Sequence, residues 1–544
     1  MNTRQLQTDK NQKLYHALLG ILLVCALAMM MLLSYWACKY SYYGAVDGRT
    51  RGVLVGDKTW VHIAVFLAAS LCTMGIDKVL MKKDKSQQEK ICLCTLIVTS
   101  VIAFILGVFY VCKNPYYPVG DQINTTAFAA YCRDGNFSML SIGGYVGMYQ
   151  QQKGLAILYE ILFTLFGDFN YRPAKILHVV WWILTILAGY GFLKLNTDRP
   201  VFRMLYCVMM LGCFPLLFYL PYIYGDVLSI SFGIILFYGV AAYEHSGQKR
   251  YIALASFAAG LAVLARKNTW IVLVAVAVYV LLVSLRKKKV RYLMAGTAIL
   301  LTAALSVKAV DVIYEVRSGY PSGVGIPSIL WVAMGLQETE GRAGVYNRYQ
   351  QATFTDYDCQ QELAAQQGKE YIRERLEEFS QDPGMAFNFF KNKVEGQWIE
   401  PMYAALESTE SFEEGAELSP VLESLYYGEL GRTIWKLTNY YQSILYLAGL
   451  MALVMLGILW WKKKEVPISL WLPWIAVFGG FLFSILWEAK SRYVFPYCVF
   501  MILYVPEGLY QTGLLLCKLP KLRKFKKSGH TQDKGEEASL RETA

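Results

Sequence analysis

The chain has 544 residues, of which 55% are hydrophobic and 17% charged, and its formal net charge is +12. A soluble protein carries about 25% charged residues, so this composition excludes an ordinary soluble enzyme and predicts a polytopic membrane protein. Lipid cannot satisfy free backbone amides, and we therefore expect an all-α protein whose spans are helices.

About twelve apolar segments have, or nearly have, the length that a helix needs to cross roughly 30 Å of hydrocarbon. They lie at 13–36, 60–80, 91–112, 174–194, 203–220, 226–243, 251–265, 269–285, 291–310, 437–461, 467–487 and 493–515. The boundary between the seventh and eighth segments is the least sharply defined, because only residues 266–269 separate them.

Basic residues are concentrated at the two ends of the chain and in every second loop, at 10–13, 82–90, 199–203, 249–250, 286–291, 462–464 and 518–527. Lys and Arg accumulate in cytoplasmic loops, so this alternation predicts cytoplasmic termini and external loops around Asp121 and Asp226. The net positive charge belongs to this bias, and no nucleic-acid partner is expected. We expect the basic tail to lie on anionic membrane lipids.

Two external segments interrupt the pattern of spans and short loops. The first, 113–172, contains an apolar stretch at 153–167 that is short for a span and carries Glu160, so we expect a helix lying in the membrane interface. The second, 311–436, is the only long polar segment and includes a charged helix candidate, Asp358 to Ser380, that ends before Asp382 and a proline. Its length suits a cap.

The predicted organisation has five parts. Residues 1–90 form two N-terminal spans, 91–310 a core with the first external loop, 311–436 the cap, 437–515 the C-terminal spans, and 516–544 a basic and then polar cytoplasmic tail. The 12 cysteines show no metal-ligand spacing, so no metal site is predicted.

Charged residues at the external ends of the spans are the candidate functional groups, since ionisable side chains at membrane depth are costly and usually functional. Asp121 and Asp226 form a candidate catalytic pair, although each could instead cap the helix that follows it. Arg266 and Lys267 lie at the same ends of the spans, where lipid head-group contact is their ordinary role. Arg492, near Glu488 and Lys490, would ordinarily take part in a surface ion pair.

Several short motifs occur in a consistent order along residues 91–515. They are Gly120-Asp121 followed by Ala127 and Ala129, Tyr149 to Gly154 leading to Gly167 and Pro173, Pro221 to Asp226, Ala265 to Asn268, and Glu488-Ala-Lys-Ser-Arg492-Tyr493. This arrangement resembles the GT-C superfamily of membrane glycosyltransferases, and most closely its family 39 branch of protein O-mannosyltransferases and bacterial aminoarabinose transferases. One departure is Gln150 to Lys153, where many relatives carry prolines.

The resemblance implies a GT-C type fold and transfer of a sugar from a polyprenyl-phosphate donor to an acceptor hydroxyl at the outer face of the plasma membrane, with inversion. The acceptor would be a cell-envelope glycan, a lipid or a protein. Asp121 would be the general base, and Asp226 would orient the acceptor or hold a basic partner. The residues expected to bind the donor are Arg266, Lys267, Asn268, Arg492 and Lys153, and those expected to orient the acceptor are Tyr224, Glu488 and Tyr493. The resemblance leaves the need for a divalent cation open.

Two other classes share the membrane setting. A lipid-linked glycan polymerase or ligase would have a large external loop as well, but would depend on loop arginines more than on Asp121. A secondary transporter would show inverted repeats and polar residues near the bilayer midplane, whereas the charges here gather at one end of the spans.

Overall fold

The computed structural model describes residues 3–43, 53–323, 325–464 and 466–518, and gives the side chains from residue 11 onward. Within these residues, ten helices are long and apolar enough to cross a membrane. The chain is therefore an all-α polytopic membrane protein with two small two-stranded sheets. The predicted tail from 519 to 544 lies outside the described residues.

The elements of the first part of the chain are α1 (Thr3–Lys39), β1 (Tyr40–Tyr43), β2 (Val53–Gly56), α2 (Thr59–Leu80), α3 (Lys85–Lys113), α4 (Asp121–Arg133), α5 (Tyr145–Met148), α6 (Lys153–Phe166), α7 (Arg172–Asn196), α8 (Pro200–Leu211), α9 (Phe214–Phe218), α10 (Asp226–Ser246), α11 (Lys249–Ala265), α12 (Trp270–Lys287) and α13 (Val290–Ser318). Those of the second part are α14 (Ile329–Gly335), β3 (Glu338–Thr339), β4 (Arg342–Ala343), α15 (Tyr349–Asp356), α16 (Gln361–Gln381), α17 (Pro383–Trp398), α18 (Pro420–Tyr427), α19 (Glu429–Trp461), α20 (Leu472–Leu486) and α21 (Ser491–Met501), which continues through a 3-10 turn to Lys518.

Three of the twelve predicted spans are unusual in continuity or in length. The fifth is divided into α8 and α9 at Gly212 and Cys213, since Pro215 lacks a backbone N–H and occupies the first turn of a new helix. The seventh, α11, has 17 residues, which is near the lower limit for crossing hydrocarbon. The ninth is longer than predicted, because α13 continues past residue 310 to Ser318.

Helix α10 lies at the centre of the bundle. In its most apolar window 83% of the residues are buried inside the protein, against 22% for α13 and 28% for α3. It begins at Asp226 and ends at Ser246, and Glu244 lies near its last turn. We refer to the two ends of the bundle as the Asp226 end and the Glu244 end, which are about 27 Å apart along the helix.

The cap consists of α14 to α18 with the hairpin β3–β4. The charged helix predicted between Asp358 and Ser380 is α16, and Asp382 then caps α17 by accepting a hydrogen bond of 2.9 Å from the Met385 N–H. Trp398, the last residue of α17, joins the cap to the spans, because its Nε1 donates to Ser484 Oγ at 3.0 Å and its carbonyl accepts from Tyr446. These bonds hold the cap against the Asp226 end.

The first two spans pack on α19, far along the chain. Ser443 Oγ donates to the Ala37 carbonyl at 2.9 Å and also lies 2.7 Å from His62 Nδ1, and Asn439 donates to Asp57 at 3.1 Å. The N-terminal part of the chain therefore closes on the C-terminal spans through buried polar contacts.

Candidate functional site

An ion cluster lies at the Asp226 end, where the predicted site residues from three helices meet. Asp226 Oδ1 is 3.2 Å from Arg266 Nη2 and 4.0 Å from Arg492 Nε. The exposed fractions of these side chains are 3% for Asp226, 13% for Arg266 and 5% for Arg492. Two guanidinium groups therefore share one buried carboxylate, and the cluster carries an excess of positive charge.

Gly225 allows the helices of this cluster to approach closely. A Cβ at this position would lie 1.9 Å from the carbonyl oxygen of Ala265 and 2.9 Å from Arg266 Cγ. Only glycine fits, and the absence of a side chain lets the start of α10 contact the end of α11. This contact places Arg266 beside Asp226.

Three tyrosine rings surround the guanidinium groups. The Arg266 guanidinium lies 4.7 Å from the ring centroid of Tyr224 and 5.6 Å from that of Tyr493. Arg492 lies 5.1 Å from the ring of Tyr222 and is also within cation–π range of the other two rings. Such faces stabilise a desolvated cation without neutralising its charge, so the arginines remain available to an anion.

Two polar atoms of this cluster have no hydrogen-bond partner within the described parts of the chain. Among the described residues, none forms a hydrogen bond with Asp226 Oδ2 or with the Nε–H of Arg492, although both atoms are buried. They line a cavity of about 20 Å³, together with Asn268 and Tyr493. Buried polar groups are normally satisfied, and leaving one unpaired costs about 1–3 kcal/mol. The cavity has room for about one oxygen atom, which would complete these bonds.

Asp121 lies near this cluster on the first residue of α4. Its side chain is exposed, and its Oδ1 accepts a hydrogen bond of 2.8 Å from the Tyr145 hydroxyl. Burial, reinforced by the Asp121 carboxylate, holds the pKa of Tyr145 above its usual range, so this hydroxyl stays protonated and remains a donor. Asp121 thus has one oriented oxygen and an open approach from solvent.

Polar contacts connect Asp121 with the arginine cluster. Gln152 donates to the Tyr224 hydroxyl at 2.5 Å, and Thr125, one turn after Asp121, lies 3.3 Å from the Gln152 amide oxygen. Asp121 also interacts electrostatically with Arg266 and Tyr224. The two acidic residues of the predicted pair therefore belong to one site.

Glu488 forms another wall of this site. It is buried and accepts a hydrogen bond of 3.4 Å from the Tyr493 hydroxyl. Burial raises the pKa of Glu488, while Lys490 opposes that shift and the Asp121 charge adds to it. Lys490 also interacts with Asp226, so it contributes a third positive charge near the cluster.

The other residues predicted to bind the donor lie in three different surroundings. Asn268 lines the small cavity, whereas the Lys267 side chain is exposed. The Lys153 side chain is buried, and its ammonium forms a 2.5 Å ion pair with Asp311 and donates to Ser322. A structural ion pair therefore occupies the amine that the resemblance assigns to the donor.

Both acidic residues also lie where a helix favours negative charge. Asp121 and Asp226 are each the first residue of their helix and each follows a glycine, Gly120 or Gly225. A carboxylate at this position is stabilised by the positive end of the helix dipole. The capping alternative is wrong for both residues, because Gly120 and Gly225 occupy the N-cap positions and neither helix has a side-chain cap among the described residues. The helix dipole explains part of the placement of the two carboxylates, but not the arginines around Asp226.

Sequence reasoning missed Tyr145 and Gln152. Both lie in the first external loop, Gln152 within the motif from Tyr149 to Gly154 and Tyr145 just before it, but their roles depend on hydrogen bonds to Asp121 and Tyr224 that come from other helices. The signals in the sequence were the motif for Gln152 and, for Tyr145, its position in the loop that carries Asp121.

A second charged cavity of about 230 Å³ lies behind residues 489–491. Lys393 and Glu400 line it, and both are buried. Burial lowers the pKa of Lys393 to about 7, and among the described residues its ammonium donates a hydrogen bond only to the Gly335 carbonyl. Burial and the neighbouring Glu407 raise the pKa of Glu400. This cavity contacts the Glu488 to Arg492 segment from the cap side.

Comparisons with protein-family models, with curated proteins and with solved structures found no match to this chain. The chemistry of the site must therefore be argued from its geometry. Within the part of the chain that the structure describes, no group of three or more His, Cys, Asp or Glu side chains is arranged to hold a metal ion. The site offers an accessible carboxylate beside buried guanidinium groups at the end of membrane helices.

Proposed function

We propose that the chain is a membrane glycosyltransferase of the GT-C type that transfers a sugar from a polyprenyl-phosphate donor to an acceptor hydroxyl. The observation that carries this proposal is the pair of guanidinium groups that share one buried carboxylate at the Asp226 end, with the unpaired Nε–H of Arg492 facing a cavity between spans. A phosphate held by a lipid tail is an anion that reaches such a site from within the membrane. Arg is well suited to phosphate because its fork forms parallel hydrogen bonds.

The proposed reaction is one displacement step in which Asp121 and the two arginines act together. The acceptor oxygen attacks the anomeric carbon while Asp121 takes the hydroxyl proton, and the bond between the anomeric carbon and the phosphate oxygen breaks. The electron pair of that bond leaves with the polyprenyl phosphate, whose charge rises from one to two negative units. Arg266 and Arg492 stabilise this developing charge, and Asp226 holds both guanidinium groups in place. A single displacement inverts the anomeric centre.

The Tyr145 hydroxyl has a positioning role in this scheme. Its hydrogen bond fixes one oxygen of Asp121 and leaves the other free to accept the proton. Tyr224 and Tyr493 hold Arg266 in place by cation–π contacts. Glu488, bonded to Tyr493, orients the acceptor or that ring.

The setting of this proposal is the outer face of the plasma membrane, where the charge pattern predicts the Asp226 end to lie. The donor lipid would lie among the spans, and the acceptor would be a cell-envelope glycan, lipid or protein approaching between the membrane and the cap.

A secondary transporter is the second candidate, favoured by the broken span between α8 and α9, since discontinuous helices often form transport sites. The break carries no charged side chain, because it is formed by Gly212 and the buried Cys213. The charged residues instead gather at the helix ends, which favours the glycosyltransferase.

The decisive experiment measures transfer of radiolabelled sugar from a panel of polyprenyl-phosphate sugars in membranes containing the wild type, Asp121→Asn or Asp134→Asn. Asp134 is an exposed carboxylate at the other end of α4 and serves as the matched control. We expect Asp121→Asn to reduce transfer by about 10²-fold or more at equal expression, as for loss of a general base. Equal transfer by both variants would show that Asp121 is not the base, and no transfer from any donor would favour the transporter or a polymerase.

A further inference from the structure

A large cavity lies at the Glu244 end, opposite the site described above. Its volume is about 720 Å³, within the range of small-molecule binding sites, and it is enclosed by α1, α10, α12 and α19 with the segment that precedes α20. None of the proposed catalytic residues lines it. A cavity of this size, located where helices end at the membrane surface, is suited to binding a ligand.

The described walls of this cavity are strongly basic. The cations are Arg286, Lys287, Lys288, Lys463 and Lys464, accompanied by His16 and His245. Glu244 is the only carboxylate in the described lining, and Lys287 already pairs with it at 2.8 Å. Counting Glu465, which adjoins Lys464 in sequence, as one further negative charge still leaves the cations in excess. An anionic ligand is therefore favoured over a neutral or cationic one.

Glu244 belongs to the framework of the cavity and is not available to a ligand. Its oxygens accept hydrogen bonds from Tyr279 at 2.8 Å, from Lys287 at 2.8 Å and from the Ser469 N–H at 2.9 Å. Lys288, Lys463 and Lys464, in contrast, have exposed side chains at the mouth of the cavity. The anion would thus bind near the mouth, because Glu244 and Lys287 at the base of the cavity neutralise each other.

The remaining lining is apolar and aromatic. Tyr15, Leu19, Leu285, Trp460 and Trp471 form it, and the Trp460 indole is fixed by a 3.2 Å hydrogen bond to the His16 carbonyl. Aromatic residues with one polar edge are typical of the membrane interface, where lipid head groups and the tops of acyl chains meet. Cations beside an apolar wall suit an amphipathic anion better than a soluble one.

We propose that this cavity binds the phosphate-bearing head group of an anionic phospholipid, with the upper acyl chains against the aromatic wall. Lys288, Lys463 and Lys464 contact the phosphate, and Tyr15, Trp460 and Trp471 contact the chains. This site is separate from the donor site and does not depend on the catalytic proposal.

The test uses the purified full-length protein in neutral detergent and short-chain phosphatidylglycerol, with phosphatidylcholine of the same chains as the neutral lipid. Native mass spectrometry gives the apparent Kd for each lipid. The cavity variant is Lys288→Gln/Lys463→Gln/Lys464→Gln. The matched control is Lys249→Gln/Lys289→Gln/Lys462→Gln, which removes three exposed lysines from the same end that do not line the cavity.

We expect the wild type to prefer phosphatidylglycerol, and the cavity variant to bind it about tenfold or more weakly, since it loses the three cations that contact the phosphate directly. The control variant should stay within about twofold of the wild type, since charge at the surface alone is screened. Equal weakening in both variants, or in neither, would overturn the proposal. Displacement of the lipid by sn-glycerol 3-phosphate at equal concentration would also overturn it, in favour of a soluble phosphate ligand.

Discussion

The two ends of α10 each bury a carboxylate beside basic residues, yet they complete their hydrogen bonds differently. At the Glu244 end both carboxylate oxygens accept bonds from Tyr279, Lys287 and Ser469. At the Asp226 end one carboxylate oxygen and the Arg492 Nε–H are left without hydrogen-bond partners among the described residues. A completed network stabilises a fold, whereas an incomplete one is retained where a ligand completes it.

The largest effect expected from this comparison is on stability at the Glu244 end. Glu244→Gln should lower the free energy of unfolding by about 3 kcal/mol, because Tyr279, Lys287 and the Ser469 N–H each exchange a charged acceptor for a neutral amide, at a cost of about 1 kcal/mol per bond. Thermal unfolding in detergent measures this loss, and Lys287→Gln added to the variant should recover part of it. The exposed pair Glu429 and Arg432 provides the control, with an expected change below about 0.5 kcal/mol for Glu429→Gln. Transfer activity per folded molecule should be unchanged.

The Asp226 end should show the reverse behaviour. Arg492→Gln should reduce kcat/KM for the polyprenyl-phosphate donor by about 100-fold, as when one donor of an anion-stabilising site is removed. The melting temperature should change little, because Arg266 still pairs with Asp226 at 3.2 Å. Arg373→Gln, an exposed position on α16, controls for loss of charge. A stability loss like that of Glu244→Gln, with full activity, would remove the distinction between the two ends.

The pH dependence of stability extends this comparison to two lysines, Lys287 at the Glu244 end and Lys393 in the cap. Lys287 is paired with Glu244, whereas burial lowers the pKa of Lys393 to about 7 from 10.5. The folded protein then binds the Lys393 proton less tightly than the unfolded chain does, so stability should rise as pH increases from 7 towards 10.5. Between pH 7 and 9 this contribution is about 2 kcal/mol, and it should be absent in Lys393→Met. Equal pH dependence in both proteins, measured by thermal unfolding, would contradict the assignment.

The smallest effects concern the glycines that flank α10. Gly225→Ala forces a Cβ against the Ala265 carbonyl and should displace Arg266, lowering transfer by about tenfold. Gly247 ends the helix with a φ of 69°, and a Cβ there meets only the Arg291 side chain at 3.3 Å. Gly247→Ala should therefore cost about 1 kcal/mol of stability and leave transfer unchanged. Similar activity losses in both variants would show that Gly225 has no special role in the site.

Much of the helical architecture could be predicted because lipid imposes length and apolarity on each span. Breaks and ends of spans are less visible in the apolar pattern, since Pro215 divides the fifth span without lowering its apolarity and α13 continues through a charged stretch to Ser318. The gathering of Asp226, Arg266 and Arg492 at one end followed from their positions at the ends of spans. Their mutual contacts did not, because the approach permitted by Gly225 is a tertiary feature.

Lys153 shows where prediction from the sequence reaches its limit. Its position in a motif placed it in the correct loop, but Asp311, far along the chain at the end of α13, pairs with its ammonium. The direction of a helical side chain depends on which neighbour the helix packs against, and that information is not local. The role of Lys153 in donor binding therefore stays a prediction, with a structural ion pair as its observed partner.

The contact between the first span and α19 has a consequence for biosynthesis. Ser443 and the Ala37 carbonyl, which share a hydrogen bond, are 406 positions apart, so at ribosomal rates of about 5–20 residues per second α1 waits roughly 20 to 80 s for its partner. Until then α1 has few protein neighbours, since among the described helices that precede α19 it packs mainly on α2 and α12, and only 39% of its apolar window is buried even in the finished protein. Helix α10 carries Asp226 and Glu244 and is mostly covered by protein, so it must find neighbours soon after insertion. Depletion of a membrane chaperone should therefore affect α10 before α1.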